Sequence, residues 1–197
     1  MNVYDWDNTI YRGDSTFGFV CYLYRHKPKT LLSIPRTLGC GLLYGLHIMS
    51  KLAFKENLYH MFVFVDDMPK QVEAFTSSHL DHVKKWYVDQ QKEDDLVISA
   101  SPEFLIASFC EKVNIKHYMA SKVDIHTGKY SGLNCHGEEK VRRVMAIYNA
   151  LELRPHVEHE IDTEFQKARG YLDDLRVDEC QKTPLRQMLT MLNDRKK

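Results

Sequence analysis

The sequence predicts an α/β fold: a parallel sheet with helices on its faces and a small block of helices inserted after the first strand. Three observations predict it. A short strand, Asn2 to Tyr4, runs into a cluster of acids. A second run, Leu96-Val97-Ile98, is apolar throughout and lies between Asp94-Asp95 and Ser99-Ala100-Ser101-Pro102, the pattern of a buried parallel strand. From Ser15 to about Gln91 the chain reads as almost entirely helical. That block is too long for a simple crossover, so it reads as a helical cap inserted after the first strand.

The elements follow in order. Phe17, Val20, Cys21 and Tyr24 recur at helical spacing. Leu31 to Met49 follows Pro28 and is the one membrane-like stretch. It contains Pro35, Arg36, Gly39, Gly41, Gly45 and His47, whereas a spanning helix needs about 20 predominantly apolar residues. The reading favoured for it is a buried or partner-facing helix, over a span or a membrane-surface contact. Ser50 is an N-cap candidate for the helix that begins at Lys51. Asp66-Asp67-Met68-Pro69 restarts a long amphipathic helix whose apolar face is Val72, Phe75, Leu80, Val83 and Tyr87. After the second strand come a helix over Pro102 to Val113, a strand over Ile115 to Met119 and a hairpin over Val123 to Tyr130. A charged helix over Gly137 to Leu151 ends the series.

Composition narrows the function classes. With 27 basic and 27 acidic side chains in 197 residues, nothing favours nucleic acid as the main partner. Hydrophobic residues at 44% and charged residues at 27% exclude a disordered chain. Five scattered cysteines without a CxxC pair, and an amino terminus without signal-peptide character, lead us to expect a reduced, cytoplasmic protein. The sequence sets no oligomeric state.

The strongest chemical signal is Asp5-Trp6-Asp7-Asn8-Thr9. Ligands of parallel sheets collect at the carboxyl ends of strands. Two carboxylates there can share a hard cation such as Mg²⁺, and one of them can attack phosphorus. The plainer reading is a solvated acidic turn. Ser99, at the end of the second apolar run, can bind an anion with the amides that open the next helix, or simply cap that helix. Of the two serines, Ser101 reads as the cap and Ser99 as the ligand-facing one. Lys140 stands at a helix start, where the dipole prefers acids, so a role in neutralising a phosphate competes with a surface pairing. His79 and His82 are spaced for a shared metal, but surface packing is the favoured reading.

In this order and spacing, the three signals resemble the haloacid dehalogenase superfamily, in its phosphoserine-phosphatase-like branch. Asp5-Trp6-Asp7-Asn8-Thr9 matches motif one, Ser99 motif two and Lys140 motif three, and the likeness covers residues 1 to about 151. The resemblance implies a Rossmann-like core from residues 1–13 and 92–197, with a cap at 14–91. It also implies a Mg²⁺-dependent phosphatase acting on a small phosphorylated metabolite, phosphoserine among the candidates. Asp5 would be the nucleophile and Asp7 the general acid and base. Thr9, Ser99 and Lys140 would hold the phosphate, while Asp5 and Asp7 would hold the metal.

The family's fourth motif, acids after a strand that complete the metal site, reads best at Asp174. Asp173 and Asp178 are its less certain neighbours. The segment before it, Gln166 to Leu172, lacks the β-branched character of a buried strand. Val157 to Asp162 alternates better but does not match the motif, and a solvated helix carrying these acids is the competing reading. Leu185, Met188, Leu189 and Met191-Leu192 read as a further helix. This irregular carboxyl-terminal part keeps a second function class open: a phosphate-binding or interaction protein that retains the fold without efficient turnover. A membrane-associated phosphatase using the stretch from Leu31 to Met49 is a third reading.

Overall fold

The computed structural model describes residues 1–150, 154–174 and 179–194. The chain divides into two compact units, Met1–Val141 and Arg142–Lys197. In the first, β1 (Val3–Asp5), β2 (Leu96–Pro102) and β3 (His117–Ser121) form a parallel sheet in the order β1-β2-β3. Val3 pairs with Leu96 and Asp5 with Ile98, while Leu96 also pairs with His117. The central strand is the predicted apolar run, and Leu96, Val97 and Ile98 are all buried. Its register with β3 shifts between Ile98 and Pro102, so Ser99 and Ser101 sit in an irregular stretch.

Between β1 and β2 the elements are helical, as expected. They are α1 (Ser15–His26), α2 (Ile34–Gly45), α3 (Lys51–Tyr59), α4 (Met68–Ser78) and α5 (Lys85–Gln90), with 3-10 turns at Pro28–Ser33, His60–Phe64 and Leu80–His82. Local chemistry starts three of them. Asp14 accepts the Phe17 N–H at 2.8 Å, Ser50 accepts that of Ala53 at 3.2 Å, and Asp67 accepts that of Lys70 at 3.3 Å.

Two expectations need correction here. The long helix predicted from Met68 onward is two helices. Val83 leaves helical geometry to bridge Tyr11, the Arg12 N–H goes to the His82 carbonyl and the Lys84 N–H to that of Ile10. Those backbone groups serve the loop after β1, which explains the irregular apolar face. The second correction concerns the Leu31–Met49 stretch, for which the favoured reading included a buried helix. Its helix, α2, has no buried residue.

An aromatic cluster holds the helices to the sheet. Phe109 of α6 (Glu103–Lys112) lies 5.3 Å from Trp6 and 6.0 Å from Phe75 between ring centroids, and Phe75 lies 5.3 Å from Phe19. All four are essentially inaccessible to solvent. Each such burial contributes about 1.5–3 kcal/mol relative to exposure. His79 and His82 hydrogen-bond through Nδ1 to the carbonyls of Phe75 and Arg12, a packing role.

The predicted hairpin is present as a bridge between Val123 and Tyr130. Gly128 at its tip has φ +71°, and a Cβ there would lie 2.4 Å from both Cβ and O of Tyr59. Only glycine combines that backbone angle with so close an approach. The next helix, α7 (Glu138–Ala150), leads into the second unit. That unit contains α8 (Arg154–Asp174) and α9 (Glu179–Asp194), the latter covering the helix predicted around Leu185 to Leu192. Both segments weighed as a strand before motif four, 157–162 and 166–172, lie inside α8. Asp173 accepts an ion pair from Arg186 at 2.6 Å, and its carbonyl accepts from Lys182 at 2.9 Å.

Candidate active site

Strand alternation explains the spacing of the two acids. Trp6 points into the core and is fully buried, so Asp5 and Asp7 on either side of it face the opposite way, into one cleft. Asp5 Oδ1 accepts the Trp6 N–H at 2.8 Å and faces Lys140 Nζ at 2.7 Å. Among the described residues, no hydrogen bond is made to its second oxygen.

The chain then turns sharply. Asn8 at φ +63° and Gly13 at φ +93° adopt left-handed geometry, and the Asn8 N–H donates to the Gly13 carbonyl at 3.0 Å. This loop returns the start of α1 to Asp7. The Asp7 carboxylate accepts four hydrogen bonds. Ser15 donates to Oδ1 from its amide at 2.7 Å and its hydroxyl at 2.6 Å; Oδ2 takes the hydroxyls of Ser101 at 2.7 Å and Ser99 at 3.1 Å. Thr16 Oγ1 donates to Ser101 Oγ at 2.7 Å, and the Ser101 N–H donates to Ser99 Oγ at 3.0 Å. The carboxylate is thus fixed in orientation by side chains from two elements.

Lys140 is positioned from β3. Ser121 Oγ, at the strand end, accepts the Cys135 N–H at 2.9 Å and lies 3.0 Å from Asn134 Oδ1. Gly137, at φ +58°, then starts the turn in which the Lys140 N–H donates to the Gly137 carbonyl at 3.0 Å.

The cleft encloses about 440 Å³, and its opposite wall is basic. Lys51 and Lys55 of α3, four residues apart and so on one helical face, both line it. Lys55 Nζ donates to the Ala100 carbonyl at 3.2 Å. Burial, reinforced by the Lys51 charge, lowers the Lys55 pKa. Lys51 Nζ lies 3.1 Å from His136 Nε2. The Lys51 cation, followed by burial and by Lys55 and Lys140, lowers the His136 pKa, which favours the neutral imidazole as acceptor. Two acids faced by clustered cations make a site suited to an anion whose reacting atom approaches Asp5. The hard oxygens of Asp5 and Asp7 suit Mg²⁺. Among the described residues, no group of three His, Cys, Asp or Glu side chains is gathered for a metal.

The structure therefore brings Asp5, Asp7, Ser99 and Lys140 together. Neither serine caps α6, and both donate to Asp7. Ser101 makes no cap bond to α6 and lines the cleft, whereas Ser99 is fully buried behind it. Thr9 is not among the lining residues, and its N–H donates to the Trp6 carbonyl at 3.3 Å. Asp173 and Asp174 end α8, at the end of a helix rather than a strand; Asp178 lies outside the described residues. Ser15, Lys51, Lys55 and His136 also belong to the site, although no motif in the sequence marks them. The available signal was the Lys51/Lys55 spacing directly after a helix cap.

The sequence profile of the haloacid dehalogenase-like hydrolases matches residues 3–160. No curated protein matches the chain. Among solved structures, it is similar to a protein of unknown function from Bordetella pertussis Tohama I. The identity is 16%, over 77% of this chain and 74% of that one, with a TM-score of 0.57, which is a likeness of fold. It is also similar to a phosphoserine phosphohydrolase-like protein from Francisella tularensis subsp. tularensis SCHU S4, at 14% identity. That match covers 68% of this chain and 64% of that one, with a TM-score of 0.38.

Proposed function

Because the chain belongs to the haloacid dehalogenase-like hydrolase family, we propose that it is a Mg²⁺-dependent phosphomonoester hydrolase of the phosphoserine-phosphatase-like kind, acting through an aspartyl-phosphate on Asp5. The observation that carries this reading is the convergence on one cleft of Asp5, its cationic neighbour Lys140 and the oriented carboxylate of Asp7.

In the first step an Asp5 oxygen attacks phosphorus in line. A P–O bond to Asp5 forms, the ester P–O bond breaks, and Asp7 gives its proton to the departing oxygen. In the second step Asp7 takes a proton from water, whose oxygen attacks the same phosphorus. Inorganic phosphate leaves and the Asp5 carboxylate is restored. One residue serves as acid and then as base because the two steps are mirror images at the transferred group. Lys140 neutralises the phosphoryl oxygens; Thr9 and Ser99, the further ligands of the family pattern, do not line the cleft, and Ser99 serves by donating to Asp7 Oδ2. When bound, Mg²⁺ held by Asp5 and Asp7 supplies charge that offsets repulsion between carboxylate and phosphate. Residues 14–91 act as the cap, and their Lys51 and Lys55 select anionic substrates.

Hydrolysis of a generic aryl phosphate, with and without Mg²⁺, tests the reading. Turnover that requires Mg²⁺ and disappears in Asp5→Asn is expected. Phosphate binding without turnover would overturn it in favour of a binding protein.

A further inference from the structure

Helix α2 is built the wrong way out for a water-facing helix. Leu38, Leu42 and Leu46, spaced four apart on and just past it, are 68%, 66% and 59% exposed. Its half-buried residues are Ile34, at the helix start in line with the leucines, and Thr37, Cys40 and Gly41, which lie on the other side. Leu32 at 70% and Ile48 at 71% exposure extend the apolar stripe past both ends. A surface helix ordinarily places charge on that side, and contiguous exposed apolar area marks an interaction site.

The charge around this stripe identifies the partner. From residue 15 to residue 55 the chain has no Asp or Glu but six cations: Arg25, Lys27, Lys29, Arg36, Lys51 and Lys55. The whole chain is neutral, so this one segment carries a large local excess. Arg25 and Lys29 are exposed, and Lys29 has only a loose pairing with the exposed Asp66 at 3.7 Å. Lys51 and Lys55 line the cleft, which leaves Arg25, Lys27, Lys29 and Arg36 for a partner. An apolar helical stripe in a segment of this charge complements an anionic bilayer, whose acyl region takes the leucines and whose headgroups take those cations. Among the described residues, no helix is long and apolar enough to cross a membrane, so the fitting geometry is to lie on the surface.

We propose that the α2 face, from Leu32 to Ile48 with its flanking cations, docks the protein onto an anionic lipid bilayer. The docking is independent of the reaction proposed above. It places the substrate cleft beside the membrane, because Tyr44 of α2 lines that cleft and stacks on Phe54 at 5.1 Å.

Co-sedimentation of the full chain with vesicles tests this, using phosphatidylcholine alone and phosphatidylcholine mixed two to one with phosphatidylglycerol. Binding to the mixed vesicles is expected, weakening as salt rises. Leu38→Glu with Leu42→Glu is expected to lower it at least about tenfold, and Arg25→Gln with Lys29→Gln several-fold. Both residue pairs are exposed, so thermal melting should stay near wild type; if the glutamate pair fails to fold, Leu38→Ser with Leu42→Ser replaces it. Absence of sedimentation, or equal binding by the leucine variants, overturns the proposal. So does a dimer in solution that the leucine variants split while no vesicle is bound, because the face then belongs to a second copy. Vesicle binding without phosphatase activity leaves docking standing and removes the proposed reaction; the reverse result removes docking alone.

Discussion

Lys140 Nζ stands 2.7 Å from Asp5 Oδ1, joining the start of α7 to the end of β1. The pair is partly exposed, so it adds at most about 1 kcal/mol to stability. In the proposed reaction its role is to meet developing phosphoryl charge with a fixed cation. Lys140→Ala should lower turnover of an aryl phosphate about a hundredfold to a thousandfold. Asp5→Asn should abolish it while the melting temperature stays close to wild type. Residual turnover in Asp5→Asn, at the rate of Lys140→Ala or above, would show that another group attacks phosphorus.

Ser101→Ala removes a donor from Asp7 and the partner of Thr16 Oγ1 in a buried setting. Loss of about 1–3 kcal/mol in urea unfolding is expected, with reduced turnover as Asp7 loses its fixed orientation. Ser101→Thr keeps the hydroxyl and should recover part of both. If Ser101→Ala changed stability alone, Asp7 orientation would not limit the rate.

Gly128→Ala should destabilise the protein by more than about 2 kcal/mol. The added carbon meets the Tyr59 backbone at a left-handed residue, and neither can give way cheaply. Tyr59 also lines the cleft, so KM should change as well. Wild-type urea midpoints for this variant would mean that the hairpin tip and α3 are not held together in solution.

Alkaline pH should destabilise the protein, with the buried phenols ionising above the ordinary tyrosine range. Burial raises the phenols of Tyr11 and Tyr130 to about 12, and that of Tyr59 rises too, against an unfolded value of 10.0. The folded state then holds more protons than the unfolded one above that pH, so stability falls as pH rises from 10 toward 12. Urea midpoints measured across this window should decline, with phenolate absorbance appearing together with unfolding. Gradual ionisation in the native state would contradict the buried placement.

Much of this was legible in the sequence because it rests on local rules. Leu96-Val97-Ile98 announced a buried strand, Ser50 a helix cap, and the Asp-x-Asp spacing two acids on one side of a strand end. What escaped depends on contacts between distant segments. That Ser101 faces the cleft while Ser99 hides follows from the shifted register of β2 against β3, which no composition rule encodes. The break after α4 arises because Val83 and Lys84 give their backbone bonds to the loop at Ile10–Arg12. The outward leucines of α2 defeat periodicity reading for another reason: the pattern gives the apolar stripe but not the side it turns toward.

Ser15 holds Asp7 with both its amide and its hydroxyl, and it is the first residue of α1. The helix cannot slide or tilt without dragging that carboxylate along. Any tightening of the helical block over a guest would therefore re-aim the proposed proton donor in the same stroke, and a slackened α1 would leave it pointing elsewhere.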